Sequence, residues 1–300
     1  MLKASLILIL FTGFILRFVG ITYGMPFPLV SDEEVLIGGA LRMLELKTLL
    51  PLSHGHALDN LYYPTLLPYL YLLAMAPVIG YMYISNEFPA LDQLGLLVLD
   101  NLEFLWLASR LTSVIIGTAT LYVVYRVSSL ITNSKIIGIF ASALLCVDFM
   151  HIMLSHVARH WSATVFLIWL AALLSIRYYQ SPSLKRSIEL GICCGLGFGT
   201  SYIGGIGIGF ALASHFLCWK YQKTSLWNSS AILGGLSFLL TALIFILIHP
   251  YPLLRLMQGT VVPLYEVKTI SGLINVYTFY IKALWYSNPA LIIATIIGIL

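Results

Sequence analysis

Hydrophobic positions along this chain run in long unbroken blocks, divided by short polar breaks. The first block, 4–21, follows Lys3. It predicts a retained membrane helix with its N-terminus inside. It is long for a signal-peptide core, and no small-x-small cleavage site follows it. Tyr23-Gly24-Met25-Pro26-Phe27-Pro28 breaks the helix. Ser31-Asp32-Glu33-Glu34 then has the form of a capping box, with Ser31 as N-cap and Glu34 at N3. Val35, Leu36, Ala40, Met43, Leu44 and Lys47 follow at helical spacing. They predict a short amphipathic helix lying in the membrane interface. Pro51 ends it, and a polar stretch from Ser53 to Asn60 leads into Leu61-Tyr62-Tyr63-Pro64.

The block 63–84 is apolar enough to cross a bilayer, but it contains Pro64, Pro68 and Pro77. Charge placement separates the two possibilities. If the block does not cross, Arg126/Lys135, Arg177/Lys185/Arg186 and Lys220/Lys223 all fall on the inner side with the N-terminus. If it crosses once, the first two clusters fall outside, against the positive-inside rule. A juxtamembrane or re-entrant helix is therefore expected. Further helices are expected at 102–125, 136–155, 163–179, 188–201, 204–219 and 232–248. Gly199-Thr200-Ser201-Tyr202 and Gly204-Gly205 mark a tight outer turn between the fourth and fifth of these. One long tilted helix is the alternative. Glycines between 191 and 209 allow close helix packing. His249-Pro250-Tyr251-Pro252 opens a second outer loop, 249–271, before two last blocks at 273–285 and 290–300. The sequence stops inside an apolar block, so a C-terminally truncated chain is expected, with 1–300 forming one transmembrane module.

Composition sharpens this reading. Of the 300 residues, 60% are hydrophobic and 9% charged, against about 25% charged in a soluble domain. A soluble enzyme, a nucleic-acid binder and a disordered protein are excluded. Transmembrane strands alternate apolar and polar residues, and this chain does not. The net charge of +4 matters less than position, since nine of the 12 acidic residues fall between Asp32 and Glu103. That marks 22–103 as a solvated first outer loop. Cys146, Cys193, Cys194 and Cys218 lie in apolar runs and read as small core residues.

With this topology the polar residues collect on the outer side. They are Asp32, Glu33, Glu34, His54, His56, Asp59, Tyr62, Tyr63, Arg110, Asp148, His151, His156, Arg159, His160, His249, Arg255, Glu266 and Lys268. Ionisable groups near a membrane usually face a cavity and mark function. Carboxylates can take a proton, while Arg, Lys and His can hold a phosphate. A lipid-linked phosphate suits that pairing. Each part also has a plainer reading. The acids may be read as a helix first turn favoured by the dipole. Arg110 can snorkel, and the histidines and Lys268 can be interface or loop residues. His54, His56 and Asp59 could instead hold a metal. There is no GxxxxGKS loop and no His-Glu-x-x-His.

Five segments, in order, resemble the GT-C glycosyltransferases, in particular the protein-mannosyltransferase and aminoarabinose-transferase-like group. They are Ser31-Asp32-Glu33 after one helix, Tyr63-Pro64 before an apolar helix, and Ser109-Arg110-Leu111-Thr112-Ser113-Val114-Ile115-Ile116-Gly117. Ser155-His156-Val157-Ala158-Arg159-His160-Trp161-Ser162 and Gly195-Leu196-Gly197-Phe198-Gly199-Thr200-Ser201-Tyr202 complete the set. The chain departs from the family at Tyr62-Tyr63-Pro64-Thr65, where His-Pro-Pro is common. It departs again at Ser201, where a Lys is common, and at His160-Trp161, where an acid often follows the Arg.

The resemblance implies an all-α polytopic fold with seven transmembrane helices, juxtamembrane helices in the first outer loop and about two further helices. It implies an inverting transfer of a sugar from a polyprenyl-phosphate donor to a hydroxyl of a protein, lipid or glycan. This would take place on the outer face of a cell membrane, with the N-terminus cytoplasmic. Asp32 would be the base and Glu33 would orient the acceptor. Arg159, His160, Tyr63, Arg110, His249 and Lys268 would contact substrate. These residues assign no cofactor, and a divalent metal stays open, since the family includes metal-dependent and metal-independent members. The alternatives are a transporter or flippase for a lipid or small anion, and a non-catalytic scaffold of the same shape.

Overall fold

The computed structural model describes residues 2–25, 31–58, 61–86, 90–225 and 227–257, with isolated positions at 278 and 282. The expected blocks at 273–285 and 290–300 therefore lie outside the described residues, as do Lys268 and Glu266. Among the described residues the secondary structure is entirely helical. It comprises α1 (Leu2–Phe18), α2 (Ser31–Glu45), α3 (Leu66–Ser85), α4 (Leu91–Asp100), α5 (Leu102–Thr132), α6 (Lys135–Cys146), α7 (Phe149–Ser155), α8 (His160–Gln180), α9 (Leu184–Thr200), α10 (Ile208–Gln222), α11 (Ser229–Ile248) and α12 (Tyr251–Met257). Five helical segments are long and apolar enough to cross a bilayer: Leu66–Ser85, Leu102–Thr132, His160–Gln180, Tyr202–Gln222 and Ser229–Ile248. This is the architecture of an α-helical polytopic membrane protein. α1 and α9 have 17 residues each, about 25 Å at the helical rise, a little under the hydrocarbon thickness.

α1 ends three residues before the expected 21. Gly20 and Gly24 adopt positive φ, and the chain unwinds into successive turns from Val19 to Met25. The unwinding leaves the carbonyls of Ile21 and Tyr23 free for a long-range partner. The apolar face of α2 was expected in the interface. Instead Leu36, Ile37, Ala40 and Met43 are fully buried. The first three share a core with Leu61, with Leu67, Tyr71 and Met75 of α3, and with Leu105 of α5. Gly39 lets Leu61 seat directly on α2, since a Cβ there would stand 2.9 Å from the Leu61 Cδ1. The side chain of Ser31 lies outside the described residues. An apolar cavity of about 740 Å³ opens between α3 and α5, with Ala74, Val78, Met82, Phe104, Leu107 and Leu111 among its walls.

The helix expected at 136–155 is broken, with α6 and α7 meeting at 64°. Asp148 causes the break. It takes an extended backbone and its carboxylate caps α7, accepting from the His151 amide at 2.7 Å. Breaking a helix at membrane depth leaves carbonyls without partners. Arg17 of α1, fully buried, supplies the donors. Its Nη atoms donate to the carbonyls of Leu145 (3.0 Å) and Cys146 (3.2 Å) and to His151 Nδ1 (2.9 Å). The neighbouring His156 donates from Nε2 to Leu16 O at 3.1 Å. The single cation in the first apolar block is thus a helix cap for a distant helix.

α9 and α10 are separate elements joined by a 3-10 turn, Tyr202–Gly207. Ser201 is extended, and its hydroxyl accepts from the Gly204 amide at 3.2 Å. Gly197 and Gly204 touch backbone to backbone, so the chain folds back and the single-helix alternative fails. Gly191, Gly195 and Gly199 form a stripe at i, i+4 and i+8. It lies on α11 at Gly234, at Thr241 and Phe238, and at Phe245. A Cβ on Gly195 would stand 2.5 Å from Thr241 Cβ. Gly195→Leu should therefore separate α9 from α11 at a cost of about 1–3 kcal/mol or more. Its measure is a lower midpoint of unfolding in detergent, with Gly209→Leu, at an open position, close to wild type.

All four cysteines are buried free thiols, in keeping with a core role.

Candidate functional site

The site is built on two adjacent pairs of residues. The first pair is Asp32 and Glu33, in the first turn of α2. The second is Ala158 and Arg159, where α7 gives way to α8. Glu33 is fully buried. Its carboxylate accepts from Arg110 Nε at 2.9 Å and Nη2 at 2.7 Å, and from the Ala158 amide at 2.6 Å. Arg110, also buried, donates from Nη1 to the carbonyls of Ile21 (2.8 Å) and Tyr23 (2.9 Å) that the end of α1 left free. One bidentate ion pair therefore binds α5, the start of α2, the exit of α1 and the α7–α8 link. Charges this deep persist only when every donor and acceptor is matched. The Arg110 headgroup and the Glu33 carboxylate meet that condition.

The clamp places the next residue of each pair face to face. Asp32 Oδ2 accepts from Arg159 Nη2 and from the Tyr63 hydroxyl at 2.9 Å. Its Oδ1 accepts from the Tyr62 hydroxyl at 3.0 Å. This pair is only partly covered, with 18% of the Asp32 side chain and 21% of the Arg159 side chain exposed. Arg159 is the N-cap of α8 in an extended conformation, which turns its side chain back toward α2. Its guanidinium lies 5.6 Å from the centre of the Trp161 ring. Burial pulls the Arg159 guanidinium below its ordinary pKa. A guanidinium starts so high that it remains a cation. The His160 ring stands 4.6 Å from Tyr63 and 4.3 Å from Trp161. Arg159 Nε and His160 Nδ1 are both buried without a hydrogen-bond partner.

The structure brings together Asp32, Glu33, Tyr63, Arg110, Arg159 and His160 from the expected set. His249 plays a different part. It is buried at the end of α11, and its Nε2 donates to Leu61 O at 2.6 Å. It fixes the backbone just ahead of the two tyrosines. Arg110 likewise reaches Glu33 and backbone carbonyls, so its contacts are positioning ones. Glu34 is exposed. His54 bonds to Ser53 at 2.8 Å, while the side chains of His56, Asp59 and Arg255 lie outside the described residues. Among the described residues no three His, Cys, Asp or Glu side chains gather as metal ligands.

Two residues were not among the expected substrate contacts: Tyr62, named from sequence only as one of the outer polar residues, and Arg17. Tyr62 pairs with Tyr63 on the two oxygens of one carboxylate. Its signal was the tandem of phenols after a polar loop. Arg17 was marked only by being a lone cation in an apolar block.

The chain matches no family profile, no curated protein and no solved structure.

Proposed function

We propose that this chain is an integral-membrane glycosyltransferase of the GT-C kind, acting on a polyprenyl-phosphate sugar at the outer face of a cell membrane. The observation that carries the reading is the meeting of Asp32 with Arg159, mostly covered but open to solvent at one side, held by a buried clamp. In this reading α1, α5, the bent α6–α7 pair, α8, α9, α10 and α11 are the seven spanning elements. α2 and α3 are then the juxtamembrane helices of the first outer loop.

The chemistry is a single displacement. The acceptor hydroxyl gives its proton to Asp32. Its oxygen forms a bond to the anomeric carbon, and the bond from that carbon to the phosphate oxygen breaks. The phosphate leaves with the electron pair. Arg159 and His160 face the leaving phosphate, where charge develops, and Tyr63 and Trp161 flank it. A phosphate leaving group needs little protonation near neutral pH, so one base and a cationic cradle suffice. The oxocarbenium-like transition state is favoured by a nearby carboxylate. The apolar cavity between α3 and α5 has the size and chemistry for a prenyl tail. Its walls include Leu111, the neighbour of Arg110 on α5.

The test is transfer of label from a panel of polyprenyl-phosphate sugars to membrane acceptors, with purified chain in proteoliposomes. The expected result is label in an acceptor from at least one donor. Flux of a phosphate-bearing solute or lipid across the bilayer, with no transfer from any donor, would replace this reading with a transporter.

A further inference from the structure

We propose that Asp32 and the phosphodiester of the donor compete for Arg159, so that donor binding itself frees the base. This rests on the reading of the site given above and adds an order to it.

Asp32 carries three hydrogen bonds, from Tyr62, Tyr63 and Arg159. Two of them fall on Oδ2. An oxygen that accepts from two donors has no lone pair left for an acceptor hydroxyl. The free protein thus holds its base in an idle state. The other side of the pair is incomplete. Arg159 Nε and His160 Nδ1 are buried and have no partner, and His160 is nearly fully buried. Buried polar atoms without partners are costly; others occur elsewhere in the bundle, Tyr71 Oη and Trp106 Nε1 among them, and what sets these two apart is their place. They lie on adjacent residues at the start of α8, beside the Asp32 ion pair.

The donor's phosphodiester brings two non-bridging oxygens that share its charge, where Asp32 offers one bond to Arg159. It can take Arg159 and reach His160 together. Once Arg159 turns to it, Asp32 keeps the two tyrosine hydroxyls and loses its cation. Oδ2 then has a lone pair open to the acceptor hydroxyl. The tyrosines keep the carboxylate aimed while its partner changes. Binding is therefore ordered, donor before acceptor.

The competition has an unusual consequence: removing the base strengthens phosphate binding. The test measures binding of farnesyl phosphate, which presents the lipid phosphate without its sugar, and of inorganic phosphate and farnesol, to the full chain in nanodiscs. Asp32→Asn should bind farnesyl phosphate about five- to tenfold more tightly than wild type. Asp32→Ala serves as a second variant should the first not fold. Glu34→Gln removes one nearby exposed charge without touching the pair, and should stay within about twofold of wild type. Arg159→Gln should weaken binding at least about tenfold. Inorganic phosphate should follow the same order at lower affinity, and farnesol should show none of it. Wild-type binding of farnesyl phosphate that is unchanged or weaker in both Asp32 variants overturns the competition and leaves the glycosyltransferase reading standing. The same holds if Glu34→Gln tightens binding as much as Asp32→Asn, since charge alone would then explain the gain. Wild type that binds farnesyl phosphate no better than farnesol overturns both.

Discussion

Glu33→Gln should destabilise the protein by about 3–5 kcal/mol, although it changes one atom of a side chain that touches no solvent. The substitution leaves the Arg110 guanidinium buried against a neutral amide. It also replaces one acceptor oxygen by a donor, facing either the guanidinium or the Ala158 amide. Arg110→Met should cost a similar amount, by leaving the Glu33 carboxylate with the Ala158 amide alone. The double variant Glu33→Gln/Arg110→Met should cost clearly less than the sum of the two, because neither charge is then stranded. Reversible unfolding in mixed micelles measures all three. Additive losses would mean that the two side chains act independently, contrary to their bidentate geometry.

Asp32→Asn should behave in the opposite way. Its carboxylate is mostly covered but reaches the surface, and an amide there keeps part of its hydrogen bonding, so the expected loss of stability is about 1–2 kcal/mol, below that of Glu33→Gln. The loss of turnover is expected to be about 10²–10⁴-fold, the usual contribution of a positioned base. Neighbouring residues of one helical turn thus have separate duties. Glu33 sets the position of α2, and in the proposed reaction Asp32 does the chemistry that the position permits. Glu33→Gln lowers activity by unfolding the clamp that seats α2, so its activity loss should track its loss of folded protein. That of Asp32→Asn should not.

Much of this was legible in the sequence, and the parts that were not share a cause. The blocks at 102–125, 163–179 and 232–248 became α5, α8 and α11 with ends extended by a few residues, because apolar run length sets a membrane helix directly. The turn at Ser201 was legible because glycine and hydroxyl side chains mark it locally. Asp32, Arg110, Arg159 and His160 stood out as ionisable groups at the edges of apolar runs. What could not be read was who pairs with whom. Glu33 and Arg110 are 77 positions apart, and Arg17 and His151 are 134 apart. Those pairings follow from how helices pack, which run length does not encode. The same is true of α2. Its apolar stripe was visible, but a stripe does not say whether lipid or protein will cover it. The break at Asp148 was misread as part of one helix, since an N-cap buried in an apolar run looks like an isolated polar residue until Arg17 is seen to cap the other side.

The most direct measurement is single-turnover transfer from an anomerically pure polyprenyl-phosphate sugar, with wild type and Asp32→Asn compared at equal amounts of folded protein. A base role for Asp32 in a single displacement predicts a product of inverted configuration from wild type. It also predicts a rate in Asp32→Asn lower by about two orders of magnitude or more. Retained configuration, or an undiminished rate in Asp32→Asn, would contradict it.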